Sequence, residues 1–358
     1  MNPKTVFCAL ILGAGMTFCA AAPAAGDDSA ASIAAGGLVP RRETRIVMAK
    51  EVLRISPDKV VVDYDFRNDT NEDVTTEVAF PIPPYGYGPD GPAISSASFS
   101  DFKLMVNGQS VAFQTEAKAT LNGKDVTAIL TADGIDIQSF GHLREPDPAS
   151  TQTQTPDVAR LPKAEQQRLQ QLGLYDAEDG WGLWTVQLQY HWTQTFPAHS
   201  TVHIRHEYTP VEGDEMMPVD TFKNALAGTG QLQPGEADDV KLLNGFCSDA
   251  SFLRGAVARL DALDPQTGQF ATPEWVDFIL TSANTWKQPI EDFTLIVERG
   301  TPRQGMGPRY VNFCSPRNAA VIKLDANTFQ VHLTNFVPQA ELRIGFFDFP
   351  PAATGQGR

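Results

Sequence analysis

A mainly β protein, two antiparallel β-sandwich-like units carrying short helical insertions, is what this sequence predicts. Three observations carry that expectation. Val60, Val62, Tyr64 and Phe66 alternate with polar or outward positions, and after a polar turn Val74, Thr76, Val78 and Phe80 alternate again until Pro81; period two is the mark of half-buried strands. A second pair of alternating runs, Leu183 to Thr195 and Thr201 to Thr209, flanks Phe196-Pro197-Ala198. Short alternating segments separated by turn residues then recur from Trp275 to Phe347. The runs on either side of each turn read as hairpins packed on a core.

The chain begins with Lys4 followed by an uncharged apolar stretch, Thr5 to Ala22, and by the small residues Ala22-Pro23-Ala24. That order is the grammar of a secretory signal peptide, so residues 1–25 are expected to be removed and the product to be periplasmic or secreted. No later segment is long and apolar enough to span a bilayer as a helix. Gly26 to Ala35 is small and polar and reads as a disordered leader. Residues 26–213 are then expected to form a first β-sandwich-like domain. Its first strand covers Arg45 to Ile55, and Ser56-Pro57-Asp58 turns into the run that starts at Val60. Pro83 to Pro92 is a loop rich in turn residues that carries Tyr85 and Tyr87. Phe99 to Val106 and Val111 to Ala119, joined by Asn107-Gly108, form a further hairpin, because Asn-Gly suits the two left-handed positions of a type I′ turn.

Helical spacing interrupts the β pattern twice. Val126, Ile129 and Leu130 fit a short helix ending at Gly134, and Lys163 to Leu172 fits another between Pro162 and Gly173. The Pro/Ser/Thr/Gln-rich stretch Pro146 to Pro156 separates them. Residues 214–350 should hold a helical segment, Asp238 to Asn244 and Ser251 to Leu263, followed by a second β-rich domain. Residues 351–358 are a flexible tail.

Charge and cysteine narrow the function classes. The chain has 43 acidic against 28 basic residues and a formal net charge of -15, a surface that repels phosphate backbones, so nucleic acid is not an expected partner. Cys247 and Cys314 are the two cysteines beyond the leader. In an exported protein an even pair reads first as a disulfide rather than as a reactive thiol.

Taken together, the motifs resemble a known family. They run as GGLV at Gly36 to Val39, DYDFRNDTNEDV at Asp63 to Val74, VAFPIP at Val78 to Pro83 and DVTAIL at Asp125 to Leu130. WTQTFPA at Trp192 to Ala198, HEYTPVEG at His206 to Gly213 and ANTWKQPIEDFTLIVERG at Ala283 to Gly300 follow, with the two cysteine phrases. In that order they resemble the bacterial secreted proteins grouped as domain of unknown function 4424. The resemblance implies no activity and no catalytic residues. The first half is also similar, more weakly, to the β-sandwich domains of inter-alpha-trypsin inhibitor heavy chains, with Phe80 to Pro83 at an FPLP-like corner.

Candidate sites are few. His191 and His203 would share a face if the runs around the FPAHS turn paired, and could then hold a transition metal with a third ligand; polar strand residues are the favoured reading, and no cofactor is expected. Asp69, Asn71 and Asp73 have the start of a calcium-loop spacing, but Val74 stands where the glycine belongs and Phe80 where the twelfth-position acid belongs. No nucleophile elbow, P-loop or dinucleotide fingerprint occurs. Tyr85 and Tyr87 are a possible binding loop, and Trp181, Trp184 and Trp192 a possible aromatic platform. The expected function is a non-enzymatic binding or assembly module of the cell envelope, whose partner is another envelope protein or a glycan. The alternative is a hydrolase or small-ligand-binding protein acting on envelope glycans.

Overall fold

The computed structural model describes residues 27–34, 37–86, 101–135, 137, 161–176, 181–210, 212–228, 232, 234–263 and 268–351. Residues 1–25, Tyr87, the stretch Pro146 to Pro156 and the tail from 352 onward, on all of which expectations fell, lie outside them.

Two sheets form a sandwich. The first has the order β2 (Gly37–Pro40), β1 (Ser29–Ala34), β5 (Val74–Gly86), β12 (Thr185–Phe196), β8 (Gln114–Leu121) and β9 (Lys124–Asp125). The second runs β19 (Ile322–Lys323), β20 (Thr328–Phe336), β17 (Ile290–Glu298), β3 (Ile46–Ile55), β4 (Val60–Asn68), β13 (Ser200–Tyr208), β6 (Lys103–Val106) and β7 (Gln109–Ser110). Inward residues of both sheets share one apolar cluster that includes Val62, Tyr64, Phe66 and Ile204 from one side and Val78, Phe80, Val186 and Trp192 from the other. Ring pairs bridge the layers, among them Phe66 with Phe196 at 5.7 Å and Phe80 with Tyr208 at 5.5 Å between centroids. The mainly β class stands.

The opening run corrects the expectation of a hairpin. β4 pairs with β3 and β13, and β5 with β1 and β12, so the chain between Asn68 and Val74 arches from one sheet to the other. The same holds across Pro197 to His199, which joins β12 to β13. Alternation fixes which face of a strand is buried, but a hairpin and an arch between facing sheets share that pattern.

Asn68 holds both arches. Fully buried, its Nδ2 donates to the Glu72 and Phe196 carbonyls, each at 2.9 Å, and its Oδ1 accepts from the Thr70 amide and hydroxyl. Asn68→Ala should therefore lower unfolding free energy by about 2–3 kcal/mol, since buried backbone groups lose their partners. Urea denaturation reads it, and an unchanged midpoint would dismiss the staple.

The leader is also corrected. Asp27 and Asp28 are fully buried, and residues 29–34 form β1 on the edge of β5. Small polar composition suggests disorder only while no neighbouring strand edge offers the backbone a ladder. The Asn107-Gly108 turn has the expected left-handed pair, φ 50° and 78°, yet it leads only into β7, and β8 crosses to the first sheet. A second turn of this kind, Asn122-Gly123, joins β8 to β9. The short helices α1 (Thr127–Ala132) and α2 (Lys163–Gln171) fall where spacing places them. β10 (Tyr175–Asp176) and β11 (Trp181–Gly182) pair beyond α2.

A third sheet orders β14 (Glu212–Asp214), β16 (Phe270–Phe278), β21 (Leu342–Asp348) and β18 (Tyr310–Phe313), with β15 (Met217–Pro218) also on β16. Helices α3 (Val219–Ala227), α4 (Pro234–Gly245) and α5 (Ala250–Asp261) accompany it. Phe222, Leu243, Phe246 and Leu260 pack with Trp275 and Phe347 of the sheet in a second core. Helix α3 is absent from the sequence-based expectation, although Pro218 ahead and Gly228 behind punctuate it. The boundary expected at Gly213 does not separate the sheets. β17 and β20 return to the first sandwich, β17 lying parallel to β3.

Candidate functional site

The segment that enters β1 places two acids between the sheets. Asp27 and Asp28 meet Glu51 of β3, Tyr64 of β4 and His206 of β13, and all five are fully buried. Strand alternation explains the last three: Glu51 is in phase with Leu53 and Ile55, Tyr64 with Val62 and Phe66, and His206 with Ile204 and Tyr208. Tyr64 Oη donates to Asp27 Oδ1 at 2.5 Å, and the Asp28 amide donates to the same oxygen at 3.0 Å. His206 Nε2 lies 2.9 Å from Asp28 Oδ1.

A turn over Thr281–Thr285 clamps the backbone of this segment. Ser282 Oγ accepts the Asp27 amide at 2.5 Å and donates to the Asp27 carbonyl at 2.6 Å; Trp286 Nε1 donates to the Asp28 carbonyl at 2.7 Å, and Thr285 Oγ1 accepts from the Ala30 amide. Thr285 and Trp286 belong to the ANTW phrase that carried part of the family resemblance.

The electrostatics of the chamber are unusual. Burial pushes the Asp27 carboxyl well above the usual carboxylate range, and the Asp28 charge adds to that, although the Tyr64 hydroxyl opposes it. Burial also raises Asp28, against the opposing pull of His206. Glu51 is raised well above its ordinary value by burial and then by the Asp27 charge facing it. Tyr64 is pushed up by burial and the same acids. Among the described residues Asp28 Oδ2 and His206 Nδ1 find no hydrogen-bond partner, and the Asp27 and Glu51 carboxyls face one another closely enough to share a proton. With every acid sealed from solvent, the cluster cannot reach a substrate in this conformation.

Elsewhere the protein meets buried carboxylates with arginine. Arg309 forks onto Asp348 through Nε at 2.9 Å and Nη2 at 2.6 Å, and Nη2 also reaches Glu274 at 2.8 Å. Planar bidentate pairing of this kind satisfies both ions at once.

The residues singled out in the sequence are scattered. Cys247 and Cys314 are joined in a disulfide. Tyr85 is 1% exposed within β5, so its side chain is core and not part of an accessible loop. Trp184 and Trp192 are buried as well, Trp184 Nε1 donating to the Ile137 carbonyl and Trp192 Nε1 to Gln194 Oε1; stacked against the core, they offer no platform. The backbone of Trp181 lies in β11.

His191 and His203 do not share a site, because their strands belong to opposite sheets. His191 bonds Glu77 at 2.6 Å, and His203 bonds Asp65 at 3.0 Å with Asp63 beside it. Among the described residues no group of three or more such donors could hold a metal ion. Asp69, Asn71 and Asp73 serve the arches instead. Asp69 pairs with Arg67, Asn71 with His199, and Asp73 accepts the Ala198 amide. None of the chamber acids was a sequence candidate. The available signal was an acid or imidazole in phase with the apolar face of a strand.

The architecture is thus a β-sandwich with an appended helix-covered sheet, holding a sealed acidic chamber. The chain belongs to the family described as Domain of unknown function (DUF4424), whose profile matches residues 26–344. No curated protein matches it. Among solved structures, it is similar to a candidate nutrient-binding protein from Legionella pneumophila, with 16% identity, 90% of this chain and 70% of that chain covered, and a TM-score of 0.38. An M1 zinc metallopeptidase from Deinococcus radiodurans shows 8% identity over 86% of this chain and 43% of that chain, with a TM-score of 0.26. Neither likeness is close enough to carry an activity across.

Proposed function

We propose that this chain, once residues 1–25 are removed, works as a non-enzymatic binding or assembly module of the cell envelope. One observation carries the reading: an apolar run at the outer edge of the second sheet. β19 is a two-residue strand paired on one side with β20 and forming the end of the sheet order. Around it Val321, Ile322 and Leu324 are 45%, 53% and 52% exposed. An end strand paired on one side and flanked by exposed apolar side chains suits addition of an extended segment from a partner protein. The acids that do converge are sealed in the core, which leaves the surface edge as the better-placed feature.

The test is site-specific photo-cross-linking in native envelope, with the probe at Ile322 and a control probe at the exposed Lys124 of β9. One reproducible partner should be captured from position 322 and not from 124, and Val321→Asp with Leu324→Asp should abolish capture without moving the melting temperature. Equal capture at both positions, or none, would overturn the edge assignment and turn attention to soluble glycans and small ligands.

A further inference from the structure

We propose that Asp27 to Ala34 is a proton-locked latch: a proton shared by the Asp27 and Glu51 carboxyls holds the segment in the sandwich, and loss of that proton frees it. The inference begins from an acid paired with an acid. Asp27 and Glu51 are both fully buried, and their side chains hydrogen-bond to one another. An ionised carboxylate only accepts, so a bond between two carboxyls needs a proton on one of them. Tyr64 Oη at 2.5 Å and the Asp28 amide at 3.0 Å both donate to Asp27 Oδ1. Those donors favour the charge on Asp27 and leave the proton to Glu51.

Nothing else facing the pair can replace that proton. The segment itself adds Asp28, another acid. β4 adds the Tyr64 hydroxyl, and β13 adds His206 and the Tyr208 phenol, which the Asp27 charge also reaches. The one basic group among them, His206, bonds Asp28. The neighbouring turn contributes Ser282, Thr285 and Trp286, and none of these carries a charge. Elsewhere Arg309 neutralises Asp348 and Glu274. Here neutrality comes from the shared proton.

The rest of the attachment is slight, which makes opening local. β1 pairs with β5 only over Ser29 to Ala31, and the apolar side chains it buries are those of Ala30 and Ala31. Leaving therefore exposes little apolar surface, while the large rings of the core stay on strands of the two sheets. The bonds to Ser282, Thr285 and Trp286 do not titrate, so the acid pair sets the dependence on pH. Burial holds both carboxyls well above their ordinary range, whereas in the open, hydrated segment they ionise near the usual value of about 4. Closing thus takes up a proton. The latch is tight at low pH and loosens as pH rises toward the raised values, by about tenfold in opening constant per pH unit for one proton. Opening strips β5 of its ladder at Glu77 to Ala79.

Hydrogen exchange of the full chain, followed amide by amide from pH 5 to 8 and corrected for the intrinsic rate, tests this. The reporters are the amides of Asp27, Asp28 and Ala30, which donate to Ser282 Oγ, Asp27 Oδ1 and Thr285 Oγ1. Their opening constants should rise about tenfold per pH unit. At pH 8 they should exceed those of Val62 and Ile204 in the core at least tenfold. Glu51→Gln supplies an amide that donates to the Asp27 carboxylate at any pH, and it should remove at least half of the slope. Asp27→Asn does the same from the other side and serves if the first variant fails to fold. Ser282→Ala breaks the clamp without touching the acids; it should raise opening at every pH and keep the slope. A flat profile in the parent, an unchanged slope in the amide variants, a slope lost with Ser282→Ala, or reporters that exchange only together with the core would each overturn the latch.

Discussion

His206→Ala is expected to cost about 3–5 kcal/mol of unfolding free energy at neutral pH, from two sources that can be separated. The first is volume. The imidazole is fully buried among Phe80, Phe102, Trp192 and Tyr64, with ring centroids 4.7, 5.3, 5.4 and 5.7 Å away. These rings sit on strands of both sheets and in the segment before β6, so they cannot all collapse into the space. The second source is Asp28, which loses the partner at 2.9 Å that offsets its burial. A double-mutant cycle with Asp28→Ala measures that part, because the double variant no longer buries an unpaired acid. The two changes together should cost clearly less than their sum. Guanidinium unfolding of the four proteins gives the coupling, and strict additivity would show that histidine and acid are neighbours without being partners.

Strand faces were legible in the sequence and strand partners were not. Val60, Val62, Tyr64 and Phe66 are all fully buried, as their alternation says. Nothing in that alternation distinguishes a turn that folds a strand onto its own sheet from one that carries it to the facing sheet. Asn68 makes the difference, through bonds to carbonyls of two separate turns, and the second carbonyl is 128 residues away. The parallel contact of β17 with β3 is hidden for the same reason.

The chamber was illegible as a motif because its five members, spread from Asp27 to His206, come from four separate segments, and the turn that clamps it lies farther along the chain. Asp27 bonds Ser282 across 255 positions. Its trace in the sequence is one of phase: Glu51 and His206 fall at inward positions of otherwise apolar faces, where a polar side chain must have a reason to be. The histidine pair failed for the opposite cause. His191 and His203 are in phase only if their strands pair, and the arch removes that condition.

Loss of the disulfide should rival loss of the histidine in cost but differ in where it is felt. Cys247 follows α4 and Cys314 follows β18, a separation of 67 residues, and closing a loop of that size restricts the unfolded chain by about 4 kcal/mol in the entropy model. The link ties helix α4 to the edge strand of the third sheet, so it fastens the helical layer to the sheet that Phe246 and Phe347 already join with ring centroids 5.5 Å apart. The double variant Cys247→Ser, Cys314→Ser should unfold at lower denaturant than the parent by that amount, and the parent in strong reductant should follow it. Hydrogen exchange locates the effect. Amides of α4, α5 and β18 should exchange sooner, while those of β4 and β13 keep their protection, because the sandwich core has its own apolar cluster. Equal acceleration in both places would mean that the third sheet and the sandwich open as one cooperative unit, coupled because β17 and β20 of the sandwich alternate along the chain with β16, β18 and β21 of the third sheet.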